Sequence, residues 1–278
     1  MGDSSSNSCE GSICIIATPI GNMADITERA IEALRSADVL YCEDTRNTIK
    51  LLNRYGIQNK MRSYHKYNEK KMAHEAVSQA RSGKAVALVS DAGTPLVSDP
   101  GYALVELSIA EGIPFSFLPG PSAAVAAYVY SGMRSDSFYF GGFLPKREAE
   151  LRKELKKAEI FPCPCIWFVS VHSIRATLEI LESAYPKRQM SLSREMTKIF
   201  EETLRGTPGQ VASSLANEKG EIAIVLSPLE RKEEELPALD ELKKELESMH
   251  ASSPNEALKE MALKYSVPKS MLYRMLRT

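Results

Sequence analysis

The feature that most constrains this chain is a repeated order of short apolar run, turn-forming loop and helical apolar spacing. Residues 13–17 (ICIIA) form one such run, and Ile26, Ala30 and Leu34 then recur every four residues. The same order recurs from Val39 onwards. Strands that are apolar along their whole length are buried on both faces, so the pattern predicts an α/β fold with a mainly parallel sheet covered by helices.

The length of the chain, 278 residues, allows two ordinary domains, and a hydrophobic content of 44% supplies a core for each. The segment LPGPSA (118–123) predicts a joint, because two prolines and a glycine stiffen the chain between a strand and a helix. Four segments are expected in chain order: a disordered N-terminus (1–12), a first α/β domain (13–119), a second α/β domain (120–228), and a charged linker with a small helical tail (229–278).

Charge and cysteine content exclude several classes of protein. The formal net charge is −1, so any polyanionic partner has to be inferred from local features. The five cysteines form no C-x-x-C pair and none has a histidine at zinc-site spacing, which predicts reduced thiols and no bound metal. The polar N-terminus lacks the layout of a signal peptide, and no apolar run reaches membrane-spanning length. These patterns predict a cytoplasmic protein without a membrane partner.

Three loops rich in proline and glycine follow predicted strands of the first domain, at residues 18–22, 90–101 and 119–123. Ligands of open parallel sheets bind beyond the carboxyl ends of the strands, where loops expose backbone N–H groups. Any one of these loops is compatible with an ordinary strand-to-helix turn, but three at one edge favour a binding site. The G-x-G-x-x-G, P-loop, H-E-x-x-H and G-x-S-x-G motifs are absent, which argues against dehydrogenases, P-loop enzymes, zinc proteases and serine hydrolases.

An ordered set of short motifs runs along the chain. It reads ATPIGN (17–22), CEDTR (42–46), SYHKYNE (63–69), SDAGTP (90–95), SDPG (98–101), LPGPSA (118–123), GFLP (142–145), REMTK (194–198) and LRGT (204–207). The set resembles that of the RsmI family, bacterial 16S ribosomal RNA (cytidine) 2′-O-methyltransferases of the tetrapyrrole methylase superfamily. The resemblance covers residues 13–226, and the ordered set is far more specific than any single motif.

The resemblance implies two α/β domains of the tetrapyrrole methylase type, with S-adenosyl-L-methionine bound in the cleft between them. It also implies a homodimer that acts on small ribosomal subunit RNA. Such a cofactor needs backbone donors, a few acceptors and an apolar slot, which tight loops provide. The residues expected to contact it are Pro19, Ser90, Asp91, Ala92, Gly93, Thr94, Ser122 and Ala123.

The reaction requires a ribose hydroxyl to lose its proton, so a positioned acceptor is expected. Glu43 and Asp44 end an apolar run, and Arg46 is spaced to orient one of the two carboxylates. The alternative is a structural ion pair at a helix N-terminus. His65 and Lys198 are further candidates for proton transfer or phosphate binding, against ordinary structural or solvated roles. The sequence does not select one base from these five residues.

RNA contact is expected from the positive charge that follows GFLP, at Lys146, Arg147, Arg152 and Lys153. The alternative is a solvated helix face, because glutamates are interleaved. Residues 168–173 (FVSVHS) depart from the family pattern, in which an acidic residue, a proline and an arginine flank the histidine, so substrate affinity or choice is open there. Two rival functions also remain: a tetrapyrrole C-methyltransferase, and a catalytically degenerate binding protein with the same fold.

Overall fold

The computed structural model describes residues 11–229, 239–249, 253–265 and 269–276. The chain divides into two compact units between residues 228 and 229. The charged linker expected at 230–235 and the first ten residues of the expected N-terminal segment lie outside the described residues. We call residues 11–119 the first lobe and residues 120–228 the second lobe; both belong to the first unit.

The first lobe contains a five-stranded sheet in the order β3-β2-β4-β1-β5. All of its pairs are parallel, as the apolar runs predicted, whereas the strand order was not predicted. The strands are β1 (Ile13–Ile16), β2 (Val39–Cys42), β3 (Met61–Ser63), β4 (Val86–Val89) and β5 (Phe115–Leu118). The helices are α1 (Glu28–Ser36), α2 (Thr45–Arg54), α3 (Glu69–Arg81) and α4 (Tyr102–Ala110). The short strand β3 was not predicted, because three half-polar residues give no periodic signal.

The first sheet is covered on both faces. Along β1, Cys14 and Ile16 point into one core, whereas Ile13 and Ile15 point into the other. The first core contains residues of α1 and α2, and the second contains residues of α3 and α4. Burial on both sides explains why the strands are continuously apolar.

The second lobe contains a mixed five-stranded sheet in the order β6-β7-β10-β8-β9. Only β6 and β7 are parallel; the other three pairs are antiparallel. The strands are β6 (Tyr139–Phe143), β7 (Cys165–Val169), β8 (Met190–Arg194), β9 (Glu202–Gly206) and β10 (Ile222–Leu226). The helices are α5 (Ala123–Ser131), α6 (Glu148–Ala158), α7 (Ile174–Ala184) and α8 (Pro208–Ser214). Strand β9 was not predicted, because its sequence ETLRG has no apolar run.

The expected joint lies between β5 and α5. Helix α5 packs on the second sheet, where Ala127 shares a core with Ile166, Ala223 and Val225. The chain therefore passes from one sheet to the other within the LPGPSA segment.

The second unit contains the three helices that the sequence predicted: α9 (Leu239–Ser248), α10 (Pro254–Lys264) and α11 (Lys269–Leu276). Leu242, Leu258, Met261 and Leu272 form its buried core. Among the residues described, no helix combines the length and the apolar character that a membrane crossing needs.

The described cysteines differ in state. Cys42, Cys163 and Cys165 are buried free thiols, as predicted. Cys14 is disulfide-bonded, so the prediction of reduced thiols is wrong for this residue. Its spacing gives no sign of the bond, because disulfide pairing depends on which cysteines the fold brings together.

Candidate active site

The loops that follow β1, β4 and β5 are joined directly to one another. Thr18 and Gly93 exchange two backbone hydrogen bonds, with N···O distances of 2.8 and 3.0 Å. The Thr18 hydroxyl donates to the carbonyl of Ser90 at 3.2 Å, and the Thr94 hydroxyl donates to the carbonyl of Pro121 at 3.1 Å. The three loops predicted from their proline and glycine content therefore form one connected rim.

Gly93 has to be glycine at this point of the rim. Its φ is +79°, and a Cβ added to it would lie 3.2 Å from Cγ2 of Ile20. A side chain at this position would meet both a left-handed backbone penalty and a crowded neighbour. The absence of a side chain lets the β1 and β4 loops approach closely.

The second lobe contributes the loop after β8, residues 195–198. A Cβ on Gly21 would lie 2.6 Å from the Lys198 Cγ, so the two loops are in close contact across the lobes. The backbone N–H of Asn22 donates to the Thr197 hydroxyl at 2.9 Å. Glu195 and Thr197 have positive φ values of 50° and 67°, and non-glycine residues adopt such values only when surrounding contacts enforce them.

A cavity of about 380 Å³ lies between the two lobes. Its volume falls within the range of about 300–1,000 Å³ that is typical of small-molecule sites. A second cavity of about 220 Å³ adjoins it and shares part of its wall. The shared residues are Ile20, Asp91, Ala92 and Glu221.

The eight predicted cofactor-binding residues all line these two cavities. The larger cavity is lined by Asp91, Ala92, Gly93, Thr94, Ser122 and Ala123. The smaller one is lined by Pro19 and Ser90. The structure brings the eight residues together, and their role in binding remains a prediction.

The chemistry of the larger cavity suits a ligand that is partly apolar and partly charged. One part of its wall is apolar, with Ile20, Val97, Phe168, Met196 and Ile222. The rest is loop backbone together with acidic side chains, which are acceptors for hydroxyl and ammonium groups.

The segment that departs from the family pattern forms part of this wall. Phe168, Val169, Ser170 and Val171 line the larger cavity, whereas His172 is exposed and does not line it. Val169 and Val171, which replace the acidic residue and the proline, therefore lie in the cavity wall, whereas His172 and Ser173 do not line the cavity.

Asp44 and Arg46 form a closed pair at the start of α2. The Asp44 carboxylate accepts hydrogen bonds from the Arg46 backbone at 2.8 Å and from its guanidinium at 2.6 Å. These hydrogen bonds lower the pKa of Asp44 to about 2. Neither residue lines a cavity. Their geometry matches the structural alternative, a helix cap with an ion pair.

Within the described part of the chain, Glu43 and Asp99 are the carboxyl groups whose pKa values rise. Burial, with the charge of Asp91 as the next cause, raises the pKa of Glu43. Burial, followed by the charges of Glu43 and Asp91, raises the pKa of Asp99 to about 7. Asp99 lines the larger cavity. Sequence reasoning quoted its SDPG motif without assigning the aspartate a role, and the motif was the available signal.

The remaining two catalytic candidates are held by neighbours. The His65 backbone N–H donates to Asn68 Oδ1 at 2.8 Å, and its ring Nδ1 accepts from the Tyr67 N–H at 3.3 Å. His65 does not line a cavity.

Lys198 lines the smaller cavity, and its ammonium contacts Glu195 and Glu221, each at 3.0 Å. Burial alone would lower the pKa of Lys198, but hydrogen bonds to these two carboxylates outweigh it and raise the pKa.

The predicted RNA-binding residues lie at the start of α6 and are exposed. Arg147 pairs with Glu150 at 3.4 Å, and Arg152 pairs with Glu148 at 2.8 Å. Among the described residues, Lys146 and Lys153 have no ion-pair partner. Of the four predicted residues, Lys146 and Lys153 therefore carry the ammonium groups that are available to phosphates.

Comparisons with known proteins agree with this geometry. A family model for tetrapyrrole (corrin/porphyrin) methylases matches residues 12–212. The chain is 41% identical to ribosomal RNA small subunit methyltransferase I of Mesorhizobium japonicum over 96% of this chain and 92% of that protein. It is 38% identical to the protein of the same name from Escherichia coli O157:H7 over 97% and 96% of the two chains. Its fold is similar to that of uroporphyrin-III C-methyltransferase from Thermus thermophilus, whose structure was solved in complex with S-adenyl homocysteine. The TM-score is 0.53 and the sequence identity is 16%, and the match covers 77% of this chain and 96% of that chain.

Proposed function

We propose that this chain, which belongs to the ribosomal RNA small subunit methyltransferase I family of tetrapyrrole methylases, methylates a cytidine ribose 2′-oxygen in 16S ribosomal RNA with S-adenosyl-L-methionine. The chain is a methyltransferase. The observation that carries the proposal is the cavity of about 380 Å³ between the lobes, whose rim consists of the three interlocked loops of the first lobe. The names of the relatives support small-subunit ribosomal RNA as the substrate, and the motif resemblance supports a cytidine 2′-oxygen as the acceptor.

The cofactor would be held by three kinds of group in the cavity wall: backbone N–H groups, apolar side chains and a carboxylate. The backbone N–H groups of Ala92, Thr94 and Ser122 offer donors, and Phe168 and Met196 offer an apolar surface. Asp91 offers a carboxylate for an ammonium or ribose group. When bound, S-adenosyl-L-methionine supplies an electrophilic methyl group on a sulfonium.

The protein contributes mainly by holding the reacting groups in line. The rim is cross-linked by backbone hydrogen bonds, so it keeps its shape before ligands arrive. Such positioning lowers a barrier by up to about 7–11 kcal/mol in favourable cases. The apolar wall excludes water, which strengthens the remaining electrostatic interactions.

The RNA is proposed to contact the exposed end of α6. Lys146 and Lys153 provide charge that attracts phosphates, and Phe143, which is 62% exposed, lines the cavity three residues earlier in the chain. Exposed aromatic rings stack on unpaired bases, and exposed lysines bind the backbone that links them. A ribosomal substrate also implies a cytoplasmic protein.

We also propose a homodimer, formed through an apolar surface on the first lobe and α5. This surface, the apolar face, consists of Tyr102, Ile109, Phe115, Phe117, Val125 and Val129, all of which are exposed. Helices α4 and α5 are apolar all round rather than on one stripe, as expected of helices that are buried on both sides. A second copy would cover the face.

The test is methyl transfer with tritiated S-adenosyl-L-methionine and three acceptors: isolated small ribosomal subunits, protein-free RNA and porphyrinoid precursors. We expect label in a 2′-O-methylcytidine of the ribosomal RNA. Label confined to a porphyrinoid, or no transfer to any acceptor by a protein that binds S-adenosylhomocysteine, would overturn the proposal.

A further inference from the structure

We infer that Asp99 is the catalytic base, which takes the proton from the acceptor hydroxyl. The inference rests on the proposed function, and it selects a residue outside the five candidates that the sequence supplied. Its evidence is the place of Asp99 in the cavity, the lack of a partner for its carboxylate, and the rigidity of its loop.

The position of Asp99 gives it access to a ligand. Asp99 lines the larger cavity together with Ser98, Thr94 and Phe143. Of the five sequence candidates, Glu43, Asp44, Arg46 and His65 line neither cavity, and Lys198 lines only the smaller one.

The other carboxylates of the larger cavity already have partners. Asp91 accepts hydrogen bonds from the Asp44 backbone at 3.0 Å and from Asn47 Nδ2 at 2.9 Å. Glu221 is paired with Lys198. Within the part of the chain that the structure describes, Asp99 has neither a hydrogen bond nor an ion pair. Its carboxylate is therefore the one in that wall that no described protein group already engages, so both of its oxygens can accept from a substrate hydroxyl.

The surroundings of Asp99 favour proton transfer at neutral pH. Burial, then the charges of Glu43 and Asp91, raises the pKa of Asp99 to about 7. General bases work best with a pKa near the working pH, because a stronger base would already be protonated. The other charged or titratable groups around this site are His65 and Asp44, which face Glu43, and the paired Lys198 and Glu221.

The loop that carries Asp99 is strained and firmly held. Leu96 and Ser98 have positive φ values of 72° and 70°, which cost about 1–2 kcal/mol each for L residues. Gly101 ends the loop at φ +143°, and a Cβ on it would lie 2.7 Å from Leu96 Cδ1. Strain of this kind persists only where surrounding contacts fix the backbone, and it is common at catalytic residues.

The ribose 2′-hydroxyl gives its proton to a carboxylate oxygen of Asp99. The oxygen lone pair forms the new bond to the methyl carbon, the methyl–sulfur bond breaks, and its electron pair stays on sulfur as a neutral thioether. Asp99 then releases the proton to water. Removal of such a base costs about 10²–10⁴-fold in rate.

The first experiment compares Asp99→Asn with the wild type in single-turnover methylation of small subunits between pH 5.5 and 9. We expect the wild-type rate to rise with pH and to level off above about 7, since the carboxylate has to be deprotonated. We expect Asp99→Asn to lose about 10²–10⁴-fold and to lose this dependence, with unchanged affinity for S-adenosylhomocysteine. Asp136→Asn, at an exposed aspartate outside both cavities, is the matched control and should behave as the wild type.

The second experiment measures the carboxyl group itself by ¹³C NMR titration of labelled aspartates in the wild type, with each carboxyl resonance assigned through its correlation to the backbone. We expect a midpoint near 7 in the wild type and a lower midpoint in Glu43→Gln, which removes a neighbouring negative charge. If Asp99→Asn does not fold or bind S-adenosylhomocysteine, this titration of the wild type decides the matter.

A midpoint near 4, or wild-type rates with an unchanged pH profile in Asp99→Asn, would overturn the inference. A wild type that methylates no RNA at any pH would instead overturn the proposed function. The titration needs no RNA substrate, so it tests the role of Asp99 even where the proposed function fails.

Discussion

At the scale of single residues, the site depends on positions where the type of side chain is dictated by space and by neighbouring charge. Gly93 lies where the β1 and β4 loops are hydrogen-bonded to each other. Asp44 and Asp99 are both aspartates near the site, yet their pKa values shift in opposite directions, to about 2 and about 7. A guanidinium explains the first shift, and burial among carboxylates explains the second.

The substitution Gly93→Ala tests the need for glycine in the rim. We expect it to lower the free energy of unfolding by about 1–2 kcal/mol, because an L residue at φ +79° adopts a left-handed backbone. The added methyl group would also press on Ile20, so we expect affinity for S-adenosylhomocysteine to fall about tenfold, which corresponds to about 1.4 kcal/mol. Urea unfolding and calorimetric titration measure the two effects.

Gly83→Ala is the matched control. Gly83 also has a positive φ, of +88°, but a Cβ there would meet nothing within 4 Å, and the residue precedes β4 at the end away from the rim. We expect a similar loss of stability of about 1–2 kcal/mol with no change in affinity. An equal loss of affinity in both variants would show that backbone strain, not crowding at the rim, controls binding.

At the scale of elements, each loop of the site follows a strand, and the strand fixes where the loop begins. Parallel pairing of β1 with β4 and β5 places three loops at one edge of the first sheet. In the second lobe, a register shift between Phe140 and Phe143 marks a bulge in β6, just before the segment that leads to α6. Bulges redirect side chains, and this one precedes the basic residues of the proposed RNA contact.

The start of α6 gives an element-scale prediction. We expect Lys146→Ala and Lys153→Ala each to weaken RNA binding and to reduce the slope of log K against log salt by about one, because each lysine releases about one counterion on contact with a phosphate. Arg152→Ala should have a smaller effect, since Arg152 is already paired with Glu148. Filter binding between low and moderate salt measures these slopes.

Lys187→Ala serves as the control for charge alone. Lys187 is exposed and precedes β8, at the end of that strand opposite the loop that contacts the rim. It should leave the salt slope unchanged. Equal slopes in all four variants and the wild type would place the RNA contact elsewhere on the protein.

At the scale of the whole molecule, two sheets of different topology share one site. The first sheet is parallel and supplies the rim, and the second is mostly antiparallel and supplies the opposite wall. The interface of the proposed homodimer is a separate feature, because the apolar face consists of residues that do not line either cavity.

Val129→Lys tests the proposed dimer. Val129 is 70% exposed in the single chain. We expect the wild type to sediment as a dimer and Val129→Lys as a monomer, because a buried unpaired ammonium destabilises an apolar interface by several kcal/mol. Ile160→Lys, at an exposed apolar residue of the second lobe, should remain dimeric. A wild type that sediments as a monomer at micromolar concentration would contradict the proposal.

The sequence determined the loops of the site and most elements, though not β3, α3 or β9, because both depend on local chemistry. Continuous apolar runs marked the buried strands, and proline with glycine marked the loops after β1, β4 and β5. Strands β3 and β9 escaped prediction because pairing with β2 and β8, not local periodicity, makes them strands.

Only the tertiary structure decided which carboxyl group faces the cavity and which one closes a helix cap. Arg46, two residues after Asp44, was a local signal for the capped pair, whereas nothing in the residues around Asp99 indicates that its carboxyl group is buried among other carboxylates. The pKa of Asp99 is raised by burial and by charges that are distant in sequence, such as that of Glu43. Electrostatic interaction depends on distance in space and on exclusion of water, and the fold sets both.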